Sequence, residues 1–185
     1  MSRLSAASDR NDDLRKLVRT IPDFPRQGVQ FRDLTTLFLD PAGFRASVER
    51  LVQSVTVPVD LVAAIDARGF AIGGAVAERL GAGLLLIRKD GKLPGETIRE
   101  PYTLEYGKDA LTLHEGSVPT GAQVLLVDDL IATGGTTGAA VKLIERAGGR
   151  LVGARFLIDL PALGGTNRLR ELGVESWSLM EFAGD

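Results

Sequence analysis

The stretch Val124-Leu125-Leu126-Val127-Asp128-Asp129-Leu130-Ile131-Ala132-Thr133-Gly134-Gly135-Thr136-Thr137 decides the fold and points to a ligand site. Its leading apolar run is typical of a strand buried in a parallel sheet, which we predict over Gln123–Asp128. The spacing of apolar residues then predicts a helix over Thr133–Ala147. Because ligands of open α/β sheets bind beyond the carboxyl ends of the strands, we expect the segment between these two elements to bind a ligand.

The composition of this segment favours a phosphate group and a sugar. Paired glycines let backbone N–H groups approach an anion closely, and the start of the following helix adds unpaired N–H groups and the positive end of its dipole. Asp128 and Asp129 would repel that anion, so they suit sugar hydroxyls or Mg²⁺. A plain turn with a helix cap would account for the glycines and threonines, but not for two adjacent acids before them.

Two common nucleotide-binding patterns are missing. A P-loop requires G-x-x-x-x-G-K-[ST]. Lys92 and Lys108 each follow a glycine, but Leu86 and Tyr102 stand where the first glycine would be, and neither lysine precedes Ser or Thr. The segment after the predicted strand also lacks the G-x-G-x-x-G pattern of a dinucleotide-binding loop. Both classes of site are therefore excluded.

Predicted strands and helices alternate along the chain. The strands are Leu61–Ile65, Gly83–Arg88, Gln123–Asp128, Leu151–Leu160 and Glu175–Leu179. The helices are Asp9–Thr20, one that begins at Asp40-Pro41, Gly69–Leu80, Thr133–Ala147 and Asn167–Leu172. This alternation predicts an α/β fold, a parallel sheet flanked by helices, in a single domain over residues 1–185. Lys89–Gly121 interrupts the pattern as a long polar segment typical of a lid or binding loop, in which Thr103–Glu105 and Ala110–His114 could pair as a small hairpin.

Composition narrows the chemistry further. The chain has 185 residues, no Cys, one His, 22 Gly and a formal net charge of −2. Without Cys there is no disulfide, thiolate nucleophile or Cys-ligated metal, and the single His114, predicted to be structural, excludes a site with two imidazoles. The charge gives no general attraction to nucleic acid. No apolar stretch approaches the ~20 residues that span a bilayer, and Met1–Asp13 lacks the apolar core of a signal peptide, so we expect a cytoplasmic protein without a membrane or nucleic-acid partner.

The run Val127–Thr136 resembles the phosphoribosyl pyrophosphate (PRPP) signature of type I phosphoribosyltransferases. Three other segments, in the family's order, resemble the base-binding segment, pyrophosphate loop and flexible loop of its adenine-specific members. They are Ile21–Pro25 with Gly28 and Phe31–Asp33, then Asp66–Phe70, then Ile87–Lys89 with Gly91–Gly95 and Leu104–Gly107. The resemblance implies that family's fold, with a small N-terminal base-binding hood (about residues 12–37) and a flexible loop (about residues 89–121).

The resemblance also implies a reaction and a set of partners. The reaction converts adenine and PRPP to AMP and pyrophosphate in purine salvage, and the enzyme is expected to be a homodimer. Mg²⁺ is expected as the cofactor, carried by PRPP near Asp128 and Asp129 rather than held by dedicated protein ligands. A cis peptide bond is expected between Asp66 and Ala67.

Each part of the substrates is assigned by the resemblance to particular residues. The 5′-phosphate is assigned to Ala132, Thr133, Gly134, Gly135 and Thr136, the ribose hydroxyls to Asp128 and Asp129, pyrophosphate to Arg68, Arg88, Lys92 and Tyr106, and adenine to Gln30, Phe31, Arg32 and Leu130. Glu105 and Arg68 are the predicted catalytic residues, with Glu105 acting as an acid at N7 of adenine and Arg68 at the leaving pyrophosphate. Lys89 could add positive charge for pyrophosphate, or it could equally be a solvated side chain.

Two other functions are compatible with the sequence. Another purine or xanthine phosphoribosyltransferase would share the PRPP loop and differ in the base pocket. A PRPP-sensing transcription regulator would be expected to carry a DNA-binding domain and a basic face, and the sequence shows neither. The base-binding segment and the run Glu105-Tyr106-Gly107 favour adenine.

Overall fold

The computed structural model describes residues 11–104 and 107–183. Within these ranges nine strands are interspersed with six α-helices. The strands are β1 (Arg19–Pro22), β2 (Gln30–Asp33), β3 (Leu61–Ile65), β4 (Gly83–Lys89), β5 (Thr97–Leu104), β6 (Gly107–His114), β7 (Gln123–Ile131), β8 (Arg150–Asp159) and β9 (Ser176–Glu181). The helices are α1 (Asp12–Arg15), α2 (Thr35–Leu39), α3 (Pro41–Gln53), α4 (Gly69–Leu80), α5 (Gly135–Arg146) and α6 (Gly165–Glu171), and Pro161–Leu163 forms one turn of 3₁₀ helix.

Seven of the strands form one sheet in the order β5-β6-β4-β3-β7-β8-β9. The strands β4, β3, β7, β8 and β9 run parallel, and β6 and β5 extend the sheet as an antiparallel hairpin. β1 and β2 form a separate antiparallel pair within the hood. The predicted α/β fold is confirmed. In the part of the chain that the structure describes, no helix has the length and apolarity needed to cross a membrane.

The strand β7 is covered on both faces of the sheet. Val124 and Leu126 pack into the apolar cluster that includes the buried side chains of α5. Leu125 and Val127 pack into the opposite cluster, with side chains of α3 and α4. Burial on both faces explains why this strand is a continuous apolar run instead of an alternating pattern. The strand order places the carboxyl end of β7 inside the sheet, between β3 and β8.

Local sequence accounts for the ends of two helices. The Asp40 side chain accepts a hydrogen bond from the Gly43 N–H at 2.7 Å, and Pro41 is the first residue of α3. This is the arrangement that an acidic cap followed by proline favours. Gly81 ends α4 with a φ of 66°, and the predicted bounds of that helix, Gly69–Leu80, are confirmed.

Two other helix predictions were wrong at one end. The helix predicted over Asp9–Thr20 ends at Arg15, and Thr20 instead pairs with Arg32 between β1 and β2. β-branched residues favour such extended pairing. The helix predicted from Thr133 begins at Gly135, because Gly134 has a φ of 75° and cannot continue a right-handed helix.

The segment Lys89–Gly121 is more regular than predicted. The hairpin of β5 and β6 pairs Thr97 with His114 and continues to Leu104 opposite Gly107. Leu111 and Leu113 are buried in the apolar cluster around α5, so the hairpin is part of the sheet and not only a polar loop. The two strands predicted for this hairpin were therefore too short. Helix α2 was not predicted at all.

Candidate active site

Two acidic residues occupy the carboxyl end of β7. Asp128 still pairs with Phe156 of β8, so the acids belong to the strand and not to the loop after it. Oδ1 of Asp128 accepts a hydrogen bond from the N–H of Asp129 at 2.9 Å. Oδ2 of the buried Asp129 lies 2.6 Å from Nε of Arg68. The fold thus joins the acids predicted for ribose to the arginine predicted for pyrophosphate.

Burial raises the pKa of both carboxyl groups. The pKa of Asp128 is raised well above its ordinary value, first by burial and then by the negative charge of Asp129. Burial also raises the pKa of Asp129, and the positive charge of Arg68 opposes that shift. Two carboxyl groups held this close with little water favour partners that donate hydrogen bonds or carry positive charge. Sugar hydroxyls and a cation both meet that requirement.

The first residue of α4 has to be a glycine. A β-carbon on Gly69 would lie 2.6 Å from Oδ1 of Asp128 and 3.4 Å from the carbonyl oxygen of Val127. At 2.6 Å a β-carbon would overlap the carboxylate oxygen, so without one the start of α4 packs directly against the Asp128 carboxylate. This close approach brings the loop that carries Arg68 next to the acids.

Ala132, Thr133 and Gly134 form a tight loop between β7 and α5. The N–H of Gly165, the first residue of α6, donates to the carbonyl oxygen of Ala132 at 2.9 Å and so fixes the loop from outside. A β-carbon on Gly165 would lie 2.3 Å from that oxygen. No side-chain cap is found at the start of α5 in the described structure. The first N–H groups of this helix are therefore available to an anion.

Further predicted pyrophosphate ligands lie in or after β4, beside the loop that follows β3. Its Asp66–Ala67 peptide bond is cis, as the resemblance implied. Nε of Arg88, in β4, lies 2.8 Å from Oδ2 of Asp66, and the Arg88 guanidinium lies 5.6 Å from the ring centre of Phe70. Lys92 is exposed in the turn after β4. The structure therefore places Arg88 beside this loop and leaves Lys92 at the surface.

The strand β2 carries three of the four residues predicted to bind adenine. Phe31 packs edge-on against Phe24, with ring centres 5.1 Å apart, and the guanidinium of Arg68 lies 5.6 Å from the ring centre of Phe31. Among the described residues β2 pairs only with β1. Its other edge can therefore offer the backbone groups of Gln30 and Arg32 to a ligand.

Known proteins match this chain over most of its length. A family model, the phosphoribosyl transferase domain, matches residues 45–168. An adenine phosphoribosyltransferase of Dinoroseobacter shibae is 54% identical over 173 residues, which are 93% of this chain and 97% of that protein. One from Maricaulis maris is 51% identical over 93% of this chain and 99% of its own length. The chain belongs to the adenine phosphoribosyltransferases.

Solved structures of adenine phosphoribosyltransferases share the fold. The crystal structure of the enzyme from Thermoanaerobacter pseudethanolicus has a TM-score of 0.88 and 42% identity, and the match covers 92% of this chain and 99% of that one. The Saccharomyces cerevisiae enzyme, solved with an imino-altritol bisphosphate and adenine, has a TM-score of 0.83 and 32% identity, covering 91% and 97% of the two chains. The similarity thus extends beyond residues 45–168.

Three contacts in this adenine phosphoribosyltransferase site were not predicted from the sequence, although Phe24 and Asp66 lie in segments that the resemblance had singled out. Phe24 packs on Phe31, Asp66 pairs with Arg88, and Gly165 supports the loop before α5. The pair Gly164-Gly165 ahead of a predicted helix was the only signal of the last contact. Leu130 is half-buried at the end of β7.

The two residues predicted in the loop between β5 and β6, Glu105 and Tyr106, lie outside the described residues. Their roles stay predictions.

Proposed function

We propose that the chain transfers the phosphoribosyl group of PRPP to N9 of adenine, forming AMP and pyrophosphate for purine salvage in the cytoplasm. The observation that carries this proposal is the position of Arg68, which contacts Asp129 on one side and the ring of Phe31 on the other. One side chain thereby connects the groups proposed for ribose and for the base. A Trypanosoma brucei relative of the same fold was solved in complex with AMP, pyrophosphate and ribose-5-phosphate, and the first two are the products expected here.

The proposed chemistry is mainly stabilisation of charge. The bond between C1 of ribose and the pyrophosphate oxygen breaks while N9 of adenine bonds to C1, so positive charge grows on the ribose ring and negative charge on the leaving group. Asp128 and Asp129 would bind the ribose hydroxyls close to the positive charge, and Arg68 would bind the pyrophosphate. Groups that are held in place before the reaction stabilise such charges most effectively.

The 5′-phosphate is assigned to the loop before α5. The backbone N–H groups at Gly134, Gly135 and Thr136 and the hydroxyls of Thr133 and Thr136 are its proposed donors. The remaining proposed phosphate ligand, Ala132, is held in place by Gly165. Arg88, Lys92 and Tyr106 are proposed to add further contacts to the pyrophosphate as the substrates bind.

The base would lie between apolar walls at β2. We propose that Phe31 covers one face of adenine and Leu130 the other, and that the backbone at Gln30 and Arg32 reads its edge. Glu105 would hold a proton toward N7 of the base as N9 attacks, which is a form of general acid catalysis.

Mg²⁺ fits this site as part of the substrate. No group of three or more His, Asp or Glu side chains suited to a metal occurs among the described residues. Mg²⁺ is commonly bound by one or two carboxylates together with substrate phosphates and water. Burial disfavours the charged carboxylates of Asp128 and Asp129, and a cation would offset that cost. Their oxygens could therefore bind Mg²⁺ that arrives with PRPP. When bound, the metal would neutralise charge on the pyrophosphate.

We also propose that two copies of the chain associate through β4. Leu84 and Leu86 are large apolar residues exposed at 44% and 40%. Because alternate residues of a strand share a face, Arg88 continues the same row toward the active site. A second copy seated on this face would cover the leucines and lie next to Arg88. Leu84→Glu with Leu86→Glu should convert a dimer to a monomer in sedimentation equilibrium, and a monomeric wild type would contradict the proposal.

The direct test of function is AMP formation from adenine and PRPP, with and without Mg²⁺. AMP and pyrophosphate should form in equal amounts, and omission of Mg²⁺ should reduce the rate strongly. Guanine, hypoxanthine and xanthine serve as competing bases in parallel reactions. Preference for one of these would favour another purine phosphoribosyltransferase, and no nucleotide from any base would refute the proposed activity.

A further inference from the structure

The hood is attached to the edge strand β9 by side chains. Among the described residues β9 pairs with β8 alone, so no strand covers its other edge. Nδ2 of Asn11, which immediately precedes the hood, donates to the carbonyl oxygen of Leu179 at 2.6 Å, and a guanidinium nitrogen of Arg15 donates to that of Glu181 at 2.6 Å. A guanidinium nitrogen of Arg32 donates to the next carbonyl in this series, that of Ala183, at 3.3 Å.

The spacing of the three acceptors shows how the attachment works. Alternate residues of a strand direct their carbonyl groups to the same edge, and the acceptors are alternate residues. Side-chain donors from the hood and from the residue before it therefore occupy positions that another strand would otherwise fill.

Phe182 lies where two of these donors meet. Its ring centre is 4.7 Å from the guanidinium carbon of Arg15 and 4.8 Å from that of Arg32. Phe182 is itself buried, with 9% of its surface exposed. Burial lowers the pKa of Arg32, and the charge of Arg15 lowers it further. An aromatic face attracts cations, so the ring offsets the cost of holding two positive charges close together.

Arg32 connects this cluster to the base site. Its backbone belongs to β2, next to Phe31, and its guanidinium also donates to Oγ1 of Thr20 in β1 at 2.6 Å. The side chain thus fixes both hood strands against β9. The 5′-phosphate loop, in contrast, is built on β7 and α5, and within the described residues it makes no hydrogen bond or cation–π contact with Phe182 or Arg32.

We propose that Phe182 is a positioning residue of the adenine site. It holds Arg15 and Arg32 and thereby fixes β2, which carries the proposed base contacts, in the position that binding of adenine requires. The proposal rests on the function proposed above. It assigns to β9 and the two residues after it a role in base affinity, although none of them is among the residues proposed to contact the base.

Three variants test this role by steady-state kinetics. Phe182→Leu keeps an apolar side chain but removes the aromatic face, and it should raise the KM for adenine roughly five- to thirtyfold, the effect of losing two cation–π contacts. The KM for PRPP should rise much less, because all of its proposed ligands lie outside the hood, on β4, α5, β7 and the loops beside them, and only Arg68 contacts Phe31. Phe182→Tyr retains the ring face and should restore the wild-type KM for adenine.

Arg170→Gln is the matched control, because Arg170 is an exposed arginine on α6 whose guanidinium, within the described part of the chain, bonds only to Asn167, at 2.9 Å. It should change neither KM.

Hydrogen exchange of the ligand-free protein gives an independent measurement. In Phe182→Leu the backbone amides of β1 and β2 should exchange faster, whereas those of β7 should be unchanged. An unchanged adenine KM, or an equal rise in both KM values with faster exchange throughout the sheet, would overturn the positioning role. If the wild type forms no AMP, the proposed function fails, but the exchange measurement still decides whether Phe182 fixes the hood.

Discussion

Substitution of Gly165 by alanine tests whether the backbone of the loop before α5 binds the 5′-phosphate. The new β-carbon would lie 2.3 Å from the carbonyl oxygen of Ala132 and 3.0 Å from the backbone nitrogen of Gly134. To reach even 3.0 Å from the oxygen, the loop or α6 must move by about 0.7 Å. The clash is with backbone atoms, so rotation of a side chain cannot relieve it.

The structure sets the expected size of the effect. Each hydrogen bond from a backbone N–H to a charged phosphate contributes about 1.5–3 kcal/mol, and we expect one or two to be weakened. A loss of about 2–4 kcal/mol lowers kcat/KM for PRPP roughly 30- to 1000-fold. Overpacking should also lower the free energy of unfolding by about 1–3 kcal/mol, so the kinetic comparison requires that the variant be shown to be folded.

Gly138→Ala, in α5 directly after the loop, provides the matched control. Its β-carbon would make only ordinary contacts, 3.6 Å from Leu172 and 3.7 Å from Arg168. Helical alanine in place of glycine is neutral or stabilising by up to about 1 kcal/mol, so this variant should keep wild-type kinetics.

Initial rates of AMP formation, with PRPP and adenine varied separately, give both values of kcat/KM, and circular dichroism confirms folding. If folded Gly165→Ala retains kcat/KM for PRPP within about threefold of wild type, the loop backbone does not bind the phosphate as proposed.

Three further predictions concern charged groups. Asp128→Asn combined with Asp129→Asn should abolish transfer but leave the fold intact. Burial raises both carboxyl pKa values, so their contribution to the stability of the wild type is present below the ordinary Asp pKa and is lost as pH rises through the folded values. Between pH 4 and pH 7 the melting temperature of the ligand-free variant should therefore fall less than that of the wild type. Wild-type activity in the variant would contradict the site. Glu105→Leu should lower turnover much more than it weakens PRPP binding, measured by kcat against calorimetric affinity, and unchanged turnover would remove the acid role. Hydrogen bonds from Thr35 and Arg19 lower the pKa of Asp33 from 3.8 to about 2, so its stabilisation is present above the ordinary pKa and lost as pH falls through about 2. Asp33→Asn should therefore lower the free energy of unfolding by about 1–2 kcal/mol at pH 7, after allowance for the exposed Arg19, and by much less at pH 2, which chemical denaturation at both values would show.

Features that depend on short-range pattern could be predicted from the sequence. The bounds of α4 and the strand Leu61–Ile65 were correct, because capping residues and apolar periodicity act over a few residues. The bounds of α1 and of the hairpin of β5 and β6 were wrong. In the hairpin, burial of Leu111 and Leu113 against distant α5 side chains decides the structure, and no local pattern contains that information.

By itself, the sequence determined an α/β chain with an anion-binding loop after two acids, since the chemistry of Val127–Thr136 lies in consecutive residues. Only the tertiary structure decided that Arg68 bridges Asp129 and Phe31, and that Arg15 and Arg32 meet at Phe182. These contacts join residues far apart in the chain. They exist because strand order and burial bring three loops to one edge of the sheet and place the hood on β9, and side-chain periodicity does not encode strand order.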